Sequence, residues 1–296
     1  MSVVSLLENF LFIKLPRPQL GLFRILLCGT LFYIACWRQL NIDQLGAMAL
    51  IPRDQALSIF PDFYRPLIQW FFWPDAWVIY VHLGLILLLA LATLGYSNRF
   101  FLLVTWVIHQ GILNRNYAIN FGADSIGGLF LFYLCFTNAC EFYTLKNKTK
   151  PFANDLSSLF FRLIQFQICI IYAYSGFEKL KGTTWWDGTA LWTVFANPQF
   201  SEFDLKFLSR TPWLFAIGTF VTIVFEVYFA AAMINPVLRK YGLLTGVLFH
   251  LGIGILLGLM PFSLVMLSTY FLFLETKQID FFLQKMSHFK TKMIKL

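Results

Sequence analysis

Ile168-Cys169-Ile170-Ile171-Tyr172-Ala173-Tyr174-Ser175-Gly176-Phe177-Glu178-Lys179-Leu180 closes an apolar run that begins near Leu156. About 20 predominantly apolar residues cross the hydrocarbon of a bilayer, and this run reaches that length before it ends beside a glutamate and a lysine. Lys179 therefore stands where hydrocarbon gives way to water, which makes its charge state adjustable. Gly182 and Trp185-Trp186-Asp187-Gly188-Thr189-Ala190 follow, and tryptophans of this kind settle at headgroup level.

The run is one of several. Only 13% of the 296 residues are charged and 58% are hydrophobic, whereas a soluble domain carries about 25% charge. Such a chain cannot cover a globular surface with polar groups. We read eight spans: Leu20–Trp37, Trp77–Gly95, Phe100–Asn116, Ser125–Cys140, Leu156–Leu180, Pro212–Ile234, Tyr241–Leu257 and Met260–Leu274. The third and fourth are short, and a seven-span reading holds if one of them is re-entrant. Backbone groups in lipid must be satisfied within the segment, and the alternating strands of a barrel are absent. The expected fold is all-α, a polytopic helical membrane protein of about eight transmembrane helices. Met1 to Gln19 does not read as a signal peptide, because Glu8 and Lys14 interrupt any apolar core. It reads as an amphipathic lead-in ending at Pro16 and Pro18.

Lysine and arginine placement sets orientation. Lys14, Arg17, Arg99, Lys146, Lys148, Lys150, Arg239 and Lys240 share one side with the lysines of the tail. This bias predicts both termini in the cytoplasm, with Lys179 on the outer face, and the expected location is a cell inner (plasma) membrane, bacterial. The net charge of +8 then needs no nucleic acid, since anionic headgroups account for it. Residues 275–296 form a basic amphipathic tail with Ile279, Phe282, Leu283, Met286, Phe289 and Met293 at helical spacing, suited to lying on the inner leaflet or to packing back on the bundle. No second domain is visible. The connections Gln39–Ala76 and Lys181–Thr211 are too small for cores of their own, and their aromatic residues predict interfacial helices that roof the outer end.

Cys28, Cys36, Cys135, Cys140 and Cys169 show no paired spacing, and neither C-x-x-C nor H-x-x-x-H occurs. No metal site and no disulfide framework are expected. Ionisable residues inside spans normally face the protein interior and find partners. Arg24, His109, Glu226 and His250 are such residues. Glu226 and His250 lie on adjacent antiparallel helices and are expected to form an intramembrane polar pair, either a structural latch or part of a proton relay or substrate contact. In the fifth span Gln165, Ile168, Tyr172, Ser175 and Lys179 share one helical face. Lys179 would stand at the top of an internal groove beneath Trp185 and Trp186 and could serve as a base. Alternatively it snorkels at a helix C-terminus, where a cation is favoured. Glu178 points about 100° away around the helix.

Several motifs, taken in order, resemble those of the HTTM family, which includes the membrane part of vitamin K-dependent gamma-carboxylase and the sporulation-delaying-protein B-like proteins. They are Leu22-Phe23-Arg24-Ile25, Asn114-Arg115-Asn116, Asn120-Phe121-Gly122-Ala123-Asp124, the Ser175-to-Ala190 segment, Glu226, and His250-Leu251-Gly252-Ile253-Gly254 with Gly258, Pro261-Phe262-Ser263 and Met266. In the carboxylases the lysine of the Gly-x-x-Lys-Leu segment is the base that deprotonates a hydroquinone, so the resemblance implies Lys179 as base and a quinone as cofactor. Two departures separate this chain from carboxylation: Gly122-Ala123-Asp124 stands where the carboxylases have an Asn-His pair, and no large luminal domain precedes Leu296.

Two readings result. One is a membrane-embedded enzyme acting on a quinol, lipid or peptide, with Lys179 as base. His109, Arg115, Asn116, Asn120, Asp124, Tyr172, Ser175, Trp185, Trp186 and Asp187 would then shape the pocket. The other is a non-catalytic partner in maturation or export of a secreted peptide. A transporter is a weaker third, since no inverted repeat or broken-helix pair is evident.

Overall fold

Proline and asparagine mark where the helices begin. Pro18, Pro212, Pro236 and Pro261 each sit in a first turn, where a missing N–H leaves no bond unmade. Asn98 accepts from Phe101 N at 2.8 Å, and Asn235 accepts from Val237 N at 2.9 Å, each as a helix N-cap. A computed structural model describes residues 3–12, 17–45, 51–69, 73–145, 155–197, 210–279 and 281. Most of the amphipathic tail and part of each expected roof segment lie outside them.

The helices are α1 Val3–Phe12, α2 Pro18–Gln39, α3 Arg53–Ser58, α4 Arg65–Ile68, α5 Asp75–Leu94, α6 Arg99–Arg115, α7 Gly122–Leu134, α8 Asp155–Leu180, α9 Thr183–Trp186, α10 Ala190–Ala196, α11 Pro212–Ile234, α12 Pro236–Leu256 and α13 Met260–Tyr270. No strand occurs among the described residues. Helices α2, α5, α6, α7, α8, α11, α12 and α13 occupy the eight apolar runs. Of these, α2, α5, α8 and α11 are long and apolar enough to cross a membrane, and α7 and α13 are shorter apolar helices.

The exposure pattern is that of a protein in lipid. Leu83 and Leu87 on α5, Ile217, Val221, Val224 and Tyr228 on α11, and Leu244, Leu248 and Ile255 on α12 are all exposed. In water such faces would be oversized apolar patches. Polar groups are turned inward instead: Arg24, His82, His109, Arg115, Asp124, Glu226 and His250 are buried.

Two compact units divide the chain within α8: Met1–Arg162 with Leu274–Leu296, and Leu163–Phe273. In the first, α2 packs along α5 and against α7, while α6 packs on both α5 and α7. Phe23 and Phe130 meet edge to face at 5.8 Å in its core. Arg24, wholly buried, donates to Phe142 O at 3.2 Å and Tyr143 O at 3.0 Å, so this intramembrane cation anchors a loop. In the second unit α11, α12 and α13 pack in sequence, with α9 and α10 against α11. Its core is aromatic: Phe229 lies 4.2 Å from Tyr172 and 5.6 Å from Phe225, centroid to centroid.

Candidate functional site

Gly176 sets the geometry around Lys179. A Cβ there would meet Val227 N at 2.9 Å and Glu226 C at 3.2 Å, so only glycine lets α8 and α11 approach this closely. The crossing brings the Glu226 carboxylate against the end of α8. Lys179 Nζ lies 2.8 Å from Glu226 Oε2 and donates to Glu226 Oε1 at 3.1 Å. It also donates to Ser175 Oγ at 2.6 Å, one helical turn back. The Trp185 ring stands 5.3 Å from Nζ, within cation–π range. Glu178 is engaged elsewhere, by Lys181 Nζ at 2.6 Å, and that bond raises the pKa of the exposed Lys181.

Lys179 opens onto a cleft of about 640 Å³ lined by Gln167, Ile170, Ile171, Tyr174, Ser175, Glu178, Lys179 and Trp185. Its walls are largely apolar, with Ser175, Glu178 and Lys179 toward one end and Gln167 toward the other, a make-up common to small-molecule sites. The Lys179 side chain is 21% exposed and its Glu226 partner 5%. Lys179 is therefore the more accessible member of the pair. Trp186 and Asp187 do not line the cleft. Trp186 is 61% exposed and spends its indole N–H on Leu180 O at 2.8 Å, capping α8, while Asp187 is exposed. Consecutive residues of a helical turn point about 100° apart, so only Trp185 of this trio reaches Lys179.

Deeper in the same unit Tyr172 Oη lies 2.6 Å from His250 Nε2 and 2.5 Å from Tyr270 Oη. The three side chains are 5% exposed or less. Gly246 allows this, because a Cβ there would overlap the Tyr270 hydroxyl. Gln165 Nε2 donates to Leu272 O at 2.7 Å. The expected Glu226–His250 pair is thus corrected: Glu226 belongs with Lys179 and Ser175, and His250 with Tyr172. The reason is register. Glu226 lies nine residues before Asn235 and His250 fifteen after it, a stagger of about 9 Å along the α11–α12 hairpin, and each turns to a partner on another helix.

The remaining pocket candidates lie in the other unit. Arg115 Nη2 pairs with Asp75 Oδ1 at 2.6 Å, tying the end of α6 to the start of α5. Asn116 Nδ2 donates to Gln44 O at 2.7 Å and Asn120 Nδ2 to Leu113 O at 2.7 Å. Asp124, wholly buried, pairs with Arg38 Nη2 at 2.9 Å and accepts from Phe121 N at 3.2 Å. His109 is buried on α6 beside Gly128 of α7. These contacts join segments of the first unit, and none of the five residues lines the Lys179 cleft. Arg38, Asp75 and Tyr270 went unnoticed in the sequence. So did His82, buried on α5 and 2.6 Å from Gln39 Oε1, although a histidine within an apolar run was signal enough.

A family model described as HTTM domain matches residues 14–277. Sporulation-delaying protein SdpB of Bacillus subtilis (strain 168) is 28% identical over 204 residues, covering 66% of this chain and 63% of SdpB. The match thus spans less than two thirds of that relative's length. No solved structure matches.

Proposed function

The chain belongs to the HTTM domain family, and from that premise we propose that it is a membrane-embedded enzyme that uses Lys179 as a base on an amphiphilic quinol, lipid or peptide. One observation carries this reading. A lysine paired with a more deeply buried carboxylate faces a cleft with apolar walls, and it is covered by a tryptophan rather than sealed by packing. As drawn, the amine is a donor to Glu226 and Ser175. To act as a base the ammonium passes its proton to the Glu226 carboxylate, leaving a neutral amine and a carboxylic acid. The amine then takes a proton from an acidic O–H of the bound molecule. Positions Ile170, Ile171 and Tyr174 would hold the apolar part of such a molecule, and Trp185 would cover its head. A quinol fits that description; carboxylation does not follow, since Gly122-Ala123-Asp124 replaces the carboxylases' Asn-His pair. The lysine and arginine bias supports cytoplasmic termini and an outward-facing Lys179, and the likeness to SdpB of Bacillus subtilis supports a bacterial cell membrane.

The likeness to SdpB favours a second reading, a non-catalytic partner in maturation or export of a secreted peptide, with the Lys179–Glu226 pair holding the fold. A photoreactive residue in place of Tyr174 separates the two. Tyr174 is 68% exposed on the cleft wall, so substitution there leaves the pair intact. Crosslinking in cells to a lipid or quinone supports the enzyme. A crosslink to a protein alone would move the partner reading ahead.

A further inference from the structure

The cleft at Lys179 has a length as well as a polar end. Gln167, Ile170, Ile171, Tyr174, Ser175 and Glu178 of its lining recur at intervals of three and four along α8, a single helical stripe. Gln167 stands twelve residues before Lys179, about 18 Å along the axis. The hydrocarbon of a bilayer is about 30 Å thick, so a groove that starts at one end of the membrane-crossing α8 is about one leaflet deep.

The groove is also open along its side. Ile170 and Tyr174 are 59% and 68% exposed, and in a membrane that exposure is to hydrocarbon. Ser175, Lys179 and the Trp185 ring, 5.3 Å from Nζ, form one end. Between Gln167 and Ser175 the lining offers two isoleucines and a tyrosine. An extended peptide cannot fill that shaft, because each of its backbone groups would need a partner away from water. A hydrocarbon chain needs none. A compact water-soluble molecule would occupy the Lys179 end and leave the shaft unused.

We propose, resting on the Lys179 reading above, that the substrate is a single-chain membrane amphiphile that enters sideways from the bilayer. Its acidic O–H head meets Lys179 beside Trp185. Its hydrocarbon chain lies along Ile171 and Ile170 as far as Gln167.

The test places the full chain in phosphatidylcholine vesicles with three photoreactive probes. One is a hexadecyl nitrophenol with a diazirine at the chain terminus, the second carries the diazirine beside the ring, and the third is the same chain without a head. Peptide mass spectrometry after illumination locates each label. The first probe is expected to label residues 167–171 about tenfold more than the headless chain does, a preference of about 1.4 kcal/mol, and the second to label Trp185. Ile171→Trp and Ile170→Trp, which narrow the shaft, should each lose the enrichment. The second of these sits at an exposed position and keeps the test open if overpacking unfolds the first. Equal labelling by the headless chain, label spread evenly over α8, α11 and α12, enrichment undiminished in both tryptophan variants, or displacement by a chainless nitrophenol as effective as by the hexadecyl compound would each overturn the proposal. The nitrophenol reports proton transfer separately, as phenolate absorbance at a pH below its own ionisation. Label at 167–171 without that absorbance would sink the base reading and keep the groove; absorbance with the label elsewhere would sink the groove and keep the base.

Discussion

Breaking the Lys179–Glu226 pair from either side should have unequal consequences, and the inequality follows from burial. The Glu226 side chain is 5% exposed and that of Lys179 21%. Lys179→Met leaves the buried Glu226 carboxylate without its cation, and stranding one half of a buried pair costs about 3–5 kcal/mol. Glu226→Gln leaves a lysine that can swing into the cleft, so the loss is that of a charge-assisted hydrogen bond, about 1.5–3 kcal/mol. The double variant Lys179→Met/Glu226→Gln removes both charges and should recover about 2 kcal/mol relative to the sum of the single losses. Unfolding in mixed micelles titrated with sodium dodecyl sulfate, followed by tryptophan fluorescence, measures all four corners of this cycle. Additivity within about 0.5 kcal/mol would refute the pairing. A Glu226→Gln loss larger than that of Lys179→Met would refute the burial argument.

Other substitutions address the surrounding structure. Gly176→Val should lower stability by about 1–3 kcal/mol through overpacking against α11, and it should make the Lys179 amine more reactive toward a lysine-specific reagent by parting it from Glu226. Tyr172→Phe leaves His250 Nε2 and the Tyr270 hydroxyl without their shared partner, a loss of about 1–3 kcal/mol readable in the same unfolding assay. Asp124→Ala strands Arg38 and should cost about 3–5 kcal/mol, with Arg38→Met less damaging in the background of Asp124→Asn than alone. Arg17 has a folded pKa of about 10 against an ordinary 12.5, so the unfolded chain holds that proton more tightly. Its contribution to stability is therefore least below about pH 10 and rises as pH climbs toward 12.5. In detergent micelles the stability of wild type relative to Arg17→Gln should therefore rise over that interval, as thermal unfolding at stepped pH would show.

The spans were legible because length and hydropathy decide them locally. The run Pro212–Ile234 was read with the bounds the helix has, and Pro18, Pro236 and Asn98 explain the small extensions at other ends. Partner choice was not legible. Lys179 shares a face with Ser175, and that follows from helical spacing alone. Its bond to Glu226 depends on the close crossing at Gly176, a tertiary event that no single helix contains. Glu226 and His250 share adjacent spans but stand nine and fifteen residues from the hairpin at Asn235, and their partners lie on other helices. Likewise the tryptophans after α8 were treated as one roof, whereas the turn at Thr183 sends Trp185 toward Lys179 and Trp186 toward the carbonyl of Leu180. The polar residues between α6 and α7 read as pocket walls from their chemistry, and in the structure they cap and tie helix ends.

Native mass spectrometry of gently purified wild type and of Lys179→Met/Glu226→Gln, in parallel with thermal unfolding, tests the central claim most directly. The double variant keeps the packing while removing both charges. The account predicts a quinone or other amphiphile retained by wild type and lost from a double variant that still unfolds cooperatively. Retention of the same molecule by both proteins would contradict it, because the charged pair would then have no part in binding.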